Sequence, residues 1–539
     1  MKQTAGLFLV GFRTMKKSSK IHINSILVIV YLMLTWAAYT YTHREWGIAT
    51  SMVFLLVPFL FLVLLIPPLL EHLSGVSLGN NKSLSRRKKA IFFLSVSAIC
   101  AVFFLVLWAA ADYGFFSNDS ASQLKQAQTG VYNDWHPVWH TLLFFTLPLK
   151  LTGQIKSLVL FQIILFSLCL GFMAVSVLEF SGLRFTMLAL CTVLLNPSTM
   201  AILLFPWKDV AFALATLVST VCVLRIWCGK KDDWSRKAGG LIMLGLSLGN
   251  AALFRHNGVL FSGFLAIALA FVLTRKQWMM VLLSALLMFA AVKGPVYSAL
   301  HVEQPDRRTV ETVGLPLTVI QSVVVRRPDV LDTELQEFAD SVAPREDWEE
   351  YFASGNFNPF KFGASDQDAI DRAGTGTIVR LMFKCFRLAP KEALMGFLDL
   401  TDLVYSVEGE SHDLSEHLLN LSGFSVPTEG GRRIDLHGVM AQYIQLYHET
   451  IFAYTEHIGF ALLIMLVIGL AKSRLNRWED WKRILLVLPI FAYDFATMLL
   501  LTGWDYRFFY ATFLVCPLYV LLFLYQGGEQ ESASRLTAG

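Results

Sequence analysis

Apolar residues come in long, nearly unbroken runs separated by short polar interruptions. The runs cover residues 24–43, 48–70, 90–110, 156–180, 185–205, 208–228, 238–254, 257–274, 278–295, 450–471, 484–502 and 508–526. Each is about as long as an α-helix must be to cross a hydrocarbon core of ~30 Å. They predict twelve membrane-spanning helices. A further run, 138–150, is too short to span and is bounded by Pro137 on one side and by Lys150 and Gly153 on the other. It predicts a helix lying on the membrane surface, or dipping in and back. Between the ninth and tenth runs lies a polar insert, 296–449, too long for a bare loop. Helical stretches such as 378–398, with turn signals at 355–359 and 427–431, predict a small α-rich domain there.

The predicted fold is therefore an all-α polytopic membrane bundle with a surface helix and an α-rich outer domain. Its parts are two extra N-terminal spans and a basic loop (1–89), a transmembrane core (90–295) with a first outer loop (111–137), the insert (296–449), and three last spans with a tail (450–539).

Composition agrees. The 539 residues are 55% hydrophobic and 16% charged, where a soluble chain is about 25% charged. That excludes a soluble enzyme, a disulfide-rich secreted scaffold and a disordered chain. Charge is unevenly spread: residues 301–449 hold 25 Asp/Glu and 13 Lys/Arg, leaving 16 acidic and 32 basic residues elsewhere. The split indicates two compartments and gives no support to a nucleic-acid partner. Basic clusters at 13–20, 86–89, 230–237, 275–276 and 472–483 mark cytoplasmic segments. All five fall on one side only if twelve runs cross and 138–150 does not. Both termini are then cytoplasmic and the acidic insert is outside. Of seven cysteines only Cys385 lies in the insert, so no disulfide can form within it.

With the sides fixed, unusual polar groups collect on the outer face. The 111–137 loop carries Asp112, Asn118, Asp119, Asp134 and His136. Further outer turns read Phe205-Pro206-Trp207-Lys208-Asp209, Arg255-His256-Asn257-Gly258 and Gly503-Trp504-Asp505-Tyr506-Arg507. Lys208, Arg255 and Arg507 sit against the positive-inside bias. Beside carboxylates, three such cations suggest an anion site, with a lipid phosphate or pyrophosphate fitting best. Plainer roles exist for each: Lys and Arg snorkel at helix ends, Asp119 could cap a helix starting at Ser120, and Asp134 one starting at Pro137. His136 and His140, four apart, could pair on a metal, or simply hydrogen-bond.

This layout resembles the GT-C glycosyltransferases, polytopic enzymes with polyprenyl-phosphate-sugar donors, such as the protein O-mannosyltransferases and the aminoarabinose transferases of lipid A. The resemblance rests on Asp119 in an acidic first outer loop, His136-Pro137-Val138 starting a surface helix and a Leu151-Thr152-Gly153 turn. It continues with Lys208-Asp209 in a charged outer turn and Arg507-Phe508-Phe509-Tyr510 late in the chain. The layout is also similar to that of a bacterial membrane family with Asn-Asp-Trp-His-Pro, Trp-Lys-Asp-Val and Arg-x-Asn-Gly motifs and an outer insert. Here these are Asn133 to Pro137, Trp207 to Val210, Arg255 to Gly258, and 296–449. The chain departs from the GT-C pattern in having Ser120 after Asp119 where Glu is frequent, His136 where some branches carry Lys, and two extra leading spans.

The resemblance implies a glycosyltransferase of the bacterial inner membrane that moves a sugar from a polyprenyl-phosphate donor to an envelope glycan, lipid or protein. It implies Asp119 as the base, with Asp134 as its rival or helper. His136, Lys208, Asp209, Arg255, Asn257, Asp505 and Arg507 would bind substrate. It implies no certain cofactor and leaves room for a divalent metal. The alternatives are a transporter or flippase of lipid-linked sugars and a non-enzymatic scaffold.

Overall fold

The structure, a computed structural model, describes residues 17–43, 48–78, 84–230, 232–305, 309–405, 434, 436–473, 477–503 and 505–525. The turn signal at 427–431 lies outside them. Among the described residues the chain is all-α. Its only extended pairings are two isolated bridges, Leu78 with Tyr525 and Asn133 with Glu303.

Among the described residues eight helices are long and apolar enough to cross a membrane: Ile23–Tyr41, Leu55–Gly75, Arg86–Ala110, Ser157–Ser181, Lys208–Cys228, Arg275–Ala299, Trp478–Leu500 and Tyr506–Leu524. The other predicted runs form shorter helices. Three are Ala238–Phe254, Gly258–Leu269 and Ile458–Lys472. The fourth, 185–205, is not one helix. It divides into Leu183–Leu194 and Pro197–Ile202 at Asn196, whose side chain caps the second helix. Proline lacks the N–H that would continue the ladder and pushes the residue before it to extended backbone. The same effect breaks the predicted 378–398 helix into Gln367–Leu388 and Pro390–Tyr405.

Lys208–Cys228 is the central helix, with 89% of its apolar window buried. Ser157–Ser181, Ala238–Phe254 and Tyr510–Leu524 surround it. By contrast only 11% of the Leu55–Gly75 window is buried, and Leu56, Phe61 and Leu64 are openly exposed. Leaving each such side chain in water forgoes about 1.5–3 kcal/mol, so the natural surroundings of that helix are lipid. The insert is α-rich and continues the apolar core of the bundle: Leu317, Phe338 and Trp348 belong to the same buried cluster as Phe104 and Phe212.

Contacts sort the chain into two ends. At one, Lys472 donates to the Ser74 carbonyl (3.0 Å), and Arg225 pairs with Glu179 and Asp233. Lys89 also pairs with Glu179, Gln277 donates to the Arg236 carbonyl, and Arg483 lies over Trp227. Four of the five basic clusters therefore share this end. The fifth, 13–20, lies largely outside the described residues; soon after it, Asn24 donates to the Leu470 and Ser473 carbonyls at the same end. The short 138–150 run is helical from Val138 to Thr152, with a π-helical stretch at Thr141–Thr146 before Pro148. It starts beside Lys208, which bonds His136. It ends just before Lys156, which lies over Tyr113. Both points are at the end opposite the basic clusters, so this segment returns to the side it left.

Candidate active site

Four predicted residues meet at that opposite end. The chain leaves Arg86–Ala110 through Asp112 and Tyr113, both with positive φ, and then Gly114 at φ 116°. A Cβ at Gly114 would lie 2.6 Å from Val159 Cγ2 and 2.9 Å from the Leu204 carbonyl oxygen, so glycine is required for this tight turn. Ser117, not Asp119, caps the next helix, Asn118–Thr129: its Oγ accepts from Ser120 N–H and from Trp207 Nε1 (2.8 Å). That overturns the capping role considered for Asp119 and leaves its carboxylate free in the first turn.

Asp119 Oδ2 is 3.6 Å from Lys208 Nζ and 3.5 Å from Arg507 Nη1. Asp119 Oδ1 is 4.0 Å from His136 Nε2. Lys208 opens the central helix, and its ammonium donates to His136 Nδ1 (3.0 Å). An ammonium has no lone pair to offer, so Nδ1 is the acceptor and Nε2 carries the proton, facing Asp119. Burial pushes the Asp119 carboxyl upward, but Lys208, then Arg507 and His136, outweigh it and hold it at about 2. Burial first, then Lys208, lowers the His136 imidazole to about 4.

A second group supports the first. Asp505 Oδ1 accepts from the Arg507 N–H (3.0 Å), and its Oδ2 lies 2.6 Å from Arg507 Nε. Burial raises the Asp505 carboxyl, with Arg507 opposing. The Arg507 guanidinium lies over Trp207 (4.8 Å) and Phe508 (5.0 Å). Arg255 lies over the same Phe508 ring (4.7 Å) and is buried in a short ion pair with Asp209. The second Asp209 oxygen is buried without a hydrogen-bond partner among the described residues. Asn257 is directed elsewhere, donating to Thr497 Oγ1 (2.7 Å) on Trp478–Leu500.

Asp134 stands apart. No side chain caps the helix after Pro137, which removes the capping role considered for Asp134. Instead its carboxylate accepts from Lys293 Nζ (2.6 Å) and Tyr297 Oη (2.8 Å). The sequence reading passed over both partners. Lys293 was legible as a cation inside the apolar stretch Ala291-Val292-Lys293-Gly294-Pro295. His140 does not join His136. Gln123 Nε2 donates to its Nδ1 (3.0 Å), its ring stacks on Phe144, and burial pushes its pKa well down. The metal-pair geometry is therefore not formed. Among the described residues no group of three His, Cys, Asp or Glu side chains is placed to hold a metal ion, and the neighbours of Asp119 are largely cations, which do not fit one.

An apolar groove lies beside the site, lined by Leu143, Phe144, Leu165, Ala211, Val218 and Phe254. Ala211 is one turn below Lys208, and Phe254 directly precedes Arg255.

No protein-family model matches the sequence, and no curated protein matches it. Among solved structures, one that is similar is the crystal structure of ArnT from Cupriavidus metallidurans bound to undecaprenyl phosphate. Sequence identity is 13%, over 80% of this chain and 78% of that chain, with a TM-score of 0.30.

Proposed function

We propose that the protein is a membrane glycosyltransferase of GT-C type that moves a sugar from a polyprenyl-phosphate donor to a hydroxyl on an envelope glycan, lipid or protein. In this reading twelve helices cross a bacterial inner membrane, the basic end and both termini are cytoplasmic, and the 296–449 insert forms the outer domain. The supporting observation is the Asp119 carboxylate, bracketed by Lys208 and Arg507 and faced by His136, at the end away from the basic clusters.

The chemistry follows from those groups. The acceptor hydroxyl oxygen attacks the anomeric carbon while its proton passes to Asp119. The bond from that carbon to the phosphate oxygen breaks, and its electron pair leaves with the polyprenyl phosphate. Lys208 and Arg507 stabilise the charge developing on that oxygen. The groove below Lys208 takes the chain of an amphiphile whose head is anionic. Arg255, Asp209 and Asp505 hold the cations in place, and Asp134 anchors the loop that carries His136.

A transporter or flippase of lipid-linked sugars calls for ionisable groups near the bilayer midplane in broken helices. Asp494, an acidic residue inside a span, is instead tied to Thr512 Oγ1 (2.8 and 2.6 Å), and Lys293, a basic one at a π-helical stretch, to Asp134.

The test is consumption of a sugar-loaded polyprenyl phosphate by the purified protein in nanodiscs, with an envelope extract as acceptor source. Release of free polyprenyl phosphate by wild type and not by Asp119→Asn supports the reading. No release by wild type, or equal release by both, sinks it.

A further inference from the structure

The groups around Asp119 pose a chemical problem. Lys208 Nζ, Arg507 Nη1 and His136 Nε2 all face its carboxylate as donors. A carboxylate neutralised by two cations is a weak base: this one sits at about 2, far from the pH at which a general base works best. The charged groups of the cluster also balance. Lys208, Arg255 and Arg507 are matched by Asp119, Asp209 and Asp505, with His136 neutral, so a bound phosphate brings one negative charge too many.

We propose that Asp119 is a gated base: an anionic phosphate settling between Lys208 and Arg507 draws both cations from the carboxylate and makes it a proton acceptor only while the donor is bound. The gate rests on the proposed phosphate-linked donor, and the geometry selects Asp119 for it. Asp209 is buried against Arg255 with its side chain 1% exposed. Asp505 is fastened to the Arg507 backbone and side chain. Asp119 is 33% exposed, and its ion-pair contacts are the long ones, 3.5 and 3.6 Å. It is the most exposed of the three and lies where an acceptor can reach it; Asp505, whose carboxyl burial raises, is the rival site for the proton, and Asp119→Asn tells the two apart. Among the described residues His136 and, beyond it, His256 and His140 are the histidines that feel the charges of this cluster.

The gate orders the reaction. Donor binds first, and the acceptor hydroxyl then gives its proton to Asp119 as its oxygen bonds to the sugar. Polyprenyl phosphate leaves last. Its departure returns the cations to Asp119, which expels the proton to water. A hydroxyl that arrives before the donor, water included, meets a carboxylate too weakly basic to activate it.

The experiment uses full-length protein in nanodiscs and methyl dodecyl phosphate, a phosphodiester of fixed single charge. Its affinity is measured between pH 7 and pH 5, where a His136 pKa of about 4 contributes little. Proton uptake is measured by calorimetry in two buffers of different ionisation enthalpy. A bound-state carboxyl raised to roughly 5–6 predicts a 2- to 10-fold tighter affinity at pH 5 than at pH 7, with matching proton uptake. Asp119→Asn removes both the slope and the uptake, while His136→Gln keeps them. The wild-type slope tests the gate without any variant. If wild type binds the probe with no pH slope and no uptake, the gate is overturned. If Arg507→Ala then weakens that binding, the phosphate site stands without the gate. If wild type does not bind the probe, or Lys208→Met and Arg507→Ala bind it as well as wild type does, the donor reading fails together with the gate.

Discussion

Asp119 and Asp134 belong to one loop, and both are flanked by aromatic and polar residues, yet the structure treats them oppositely. The Asp119 side chain is 33% exposed with ionic partners at 3.5–4.0 Å. The Asp134 side chain is 4% exposed and closed by partners at 2.6 and 2.8 Å. A carboxylate with long, shared contacts leaves room for a ligand to redistribute its partners. A carboxylate buried in short contacts is a fastening. The lesson is that acidity of type and loop position do not mark a reactive group; the slack in its contacts does.

The largest expected effect separates the two in one assay. Asp119→Asn keeps the shape and removes the base, so turnover should fall about 10²–10⁴-fold, with stability lowered by about 1–2 kcal/mol, the linkage value discounted for its one-third exposure. Asp134→Asn should do the reverse. Its folded fraction keeps turnover, while unfolding becomes easier by up to about 3–5 kcal/mol because Lys293 is left without its partner. Turnover in donor-saturated conditions, together with denaturant melts of both variants, checks the exchange. Loss of turnover in folded Asp134→Asn, with Asp119→Asn active, would reverse the assignment.

Much of this contrast was beyond the reach of sequence. The common face of Asp119, His136, Lys208 and Arg507 was legible, because the basic clusters set which turns share an end. The fate of Asp134 was not, since its partners lie 159 and 163 residues later in the chain, and no local pattern announces so distant a contact. Helix breaks were partly legible. Asn196-Pro197 and Ala389-Pro390 carry the signal, but hydropathy averaged over a window conceals a single proline. The 138–150 segment was set apart by its length together with the side on which the basic clusters fall.

Arg255 sharpens the comparison from the other side. Sequence placed it with Arg507 among the phosphate contacts. Its burial against Asp209 corrects that expectation. Arg255→Ala should destabilise the protein by about 3–5 kcal/mol, and Arg255→Met combined with Asp209→Leu should recover part of the loss. Denaturant melts of the single and double variants check this. A single variant as stable as wild type would return Arg255 to the phosphate site.

Arg507 should behave like its neighbour Asp119. Removing one charge-assisted contact costs about 1.5–3 kcal/mol, so Arg507→Ala should weaken donor binding about 10- to 150-fold. Asp505 and Asp119 would then lose a partner, but both keep access to solvent or to backbone N–H groups. Titration with the methyl dodecyl phosphate probe measures the loss. An unchanged affinity would place the phosphate elsewhere.

The smallest effect concerns pH and the histidine between the two regions. Folding lowers the His136 imidazole to about 4 from an ordinary 6.5, because it is buried and accepts from Lys208. A group lowered on folding contributes stability in full above its unfolded pKa and loses it as pH falls toward the folded value, since the unfolded chain binds the proton first. The window is therefore pH 6.5 down to about 4. Between pH 7 and pH 5.5 the loss should be on the order of 1 kcal/mol. In His136→Gln, which cannot titrate there, the melting temperature should fall less than in wild type, with the difference growing most steeply near pH 5 and continuing to widen toward pH 4. Asp119 titrates too low to contribute in this window, so the difference belongs to His136 alone. Parallel melting curves for the two proteins would mean that the imidazole keeps its ordinary pKa in the fold and is largely charged by pH 5.5. It would then join Lys208 and Arg507 as a third cation on Asp119, and the carboxylate would be still harder to convert into a base without a bound phosphate.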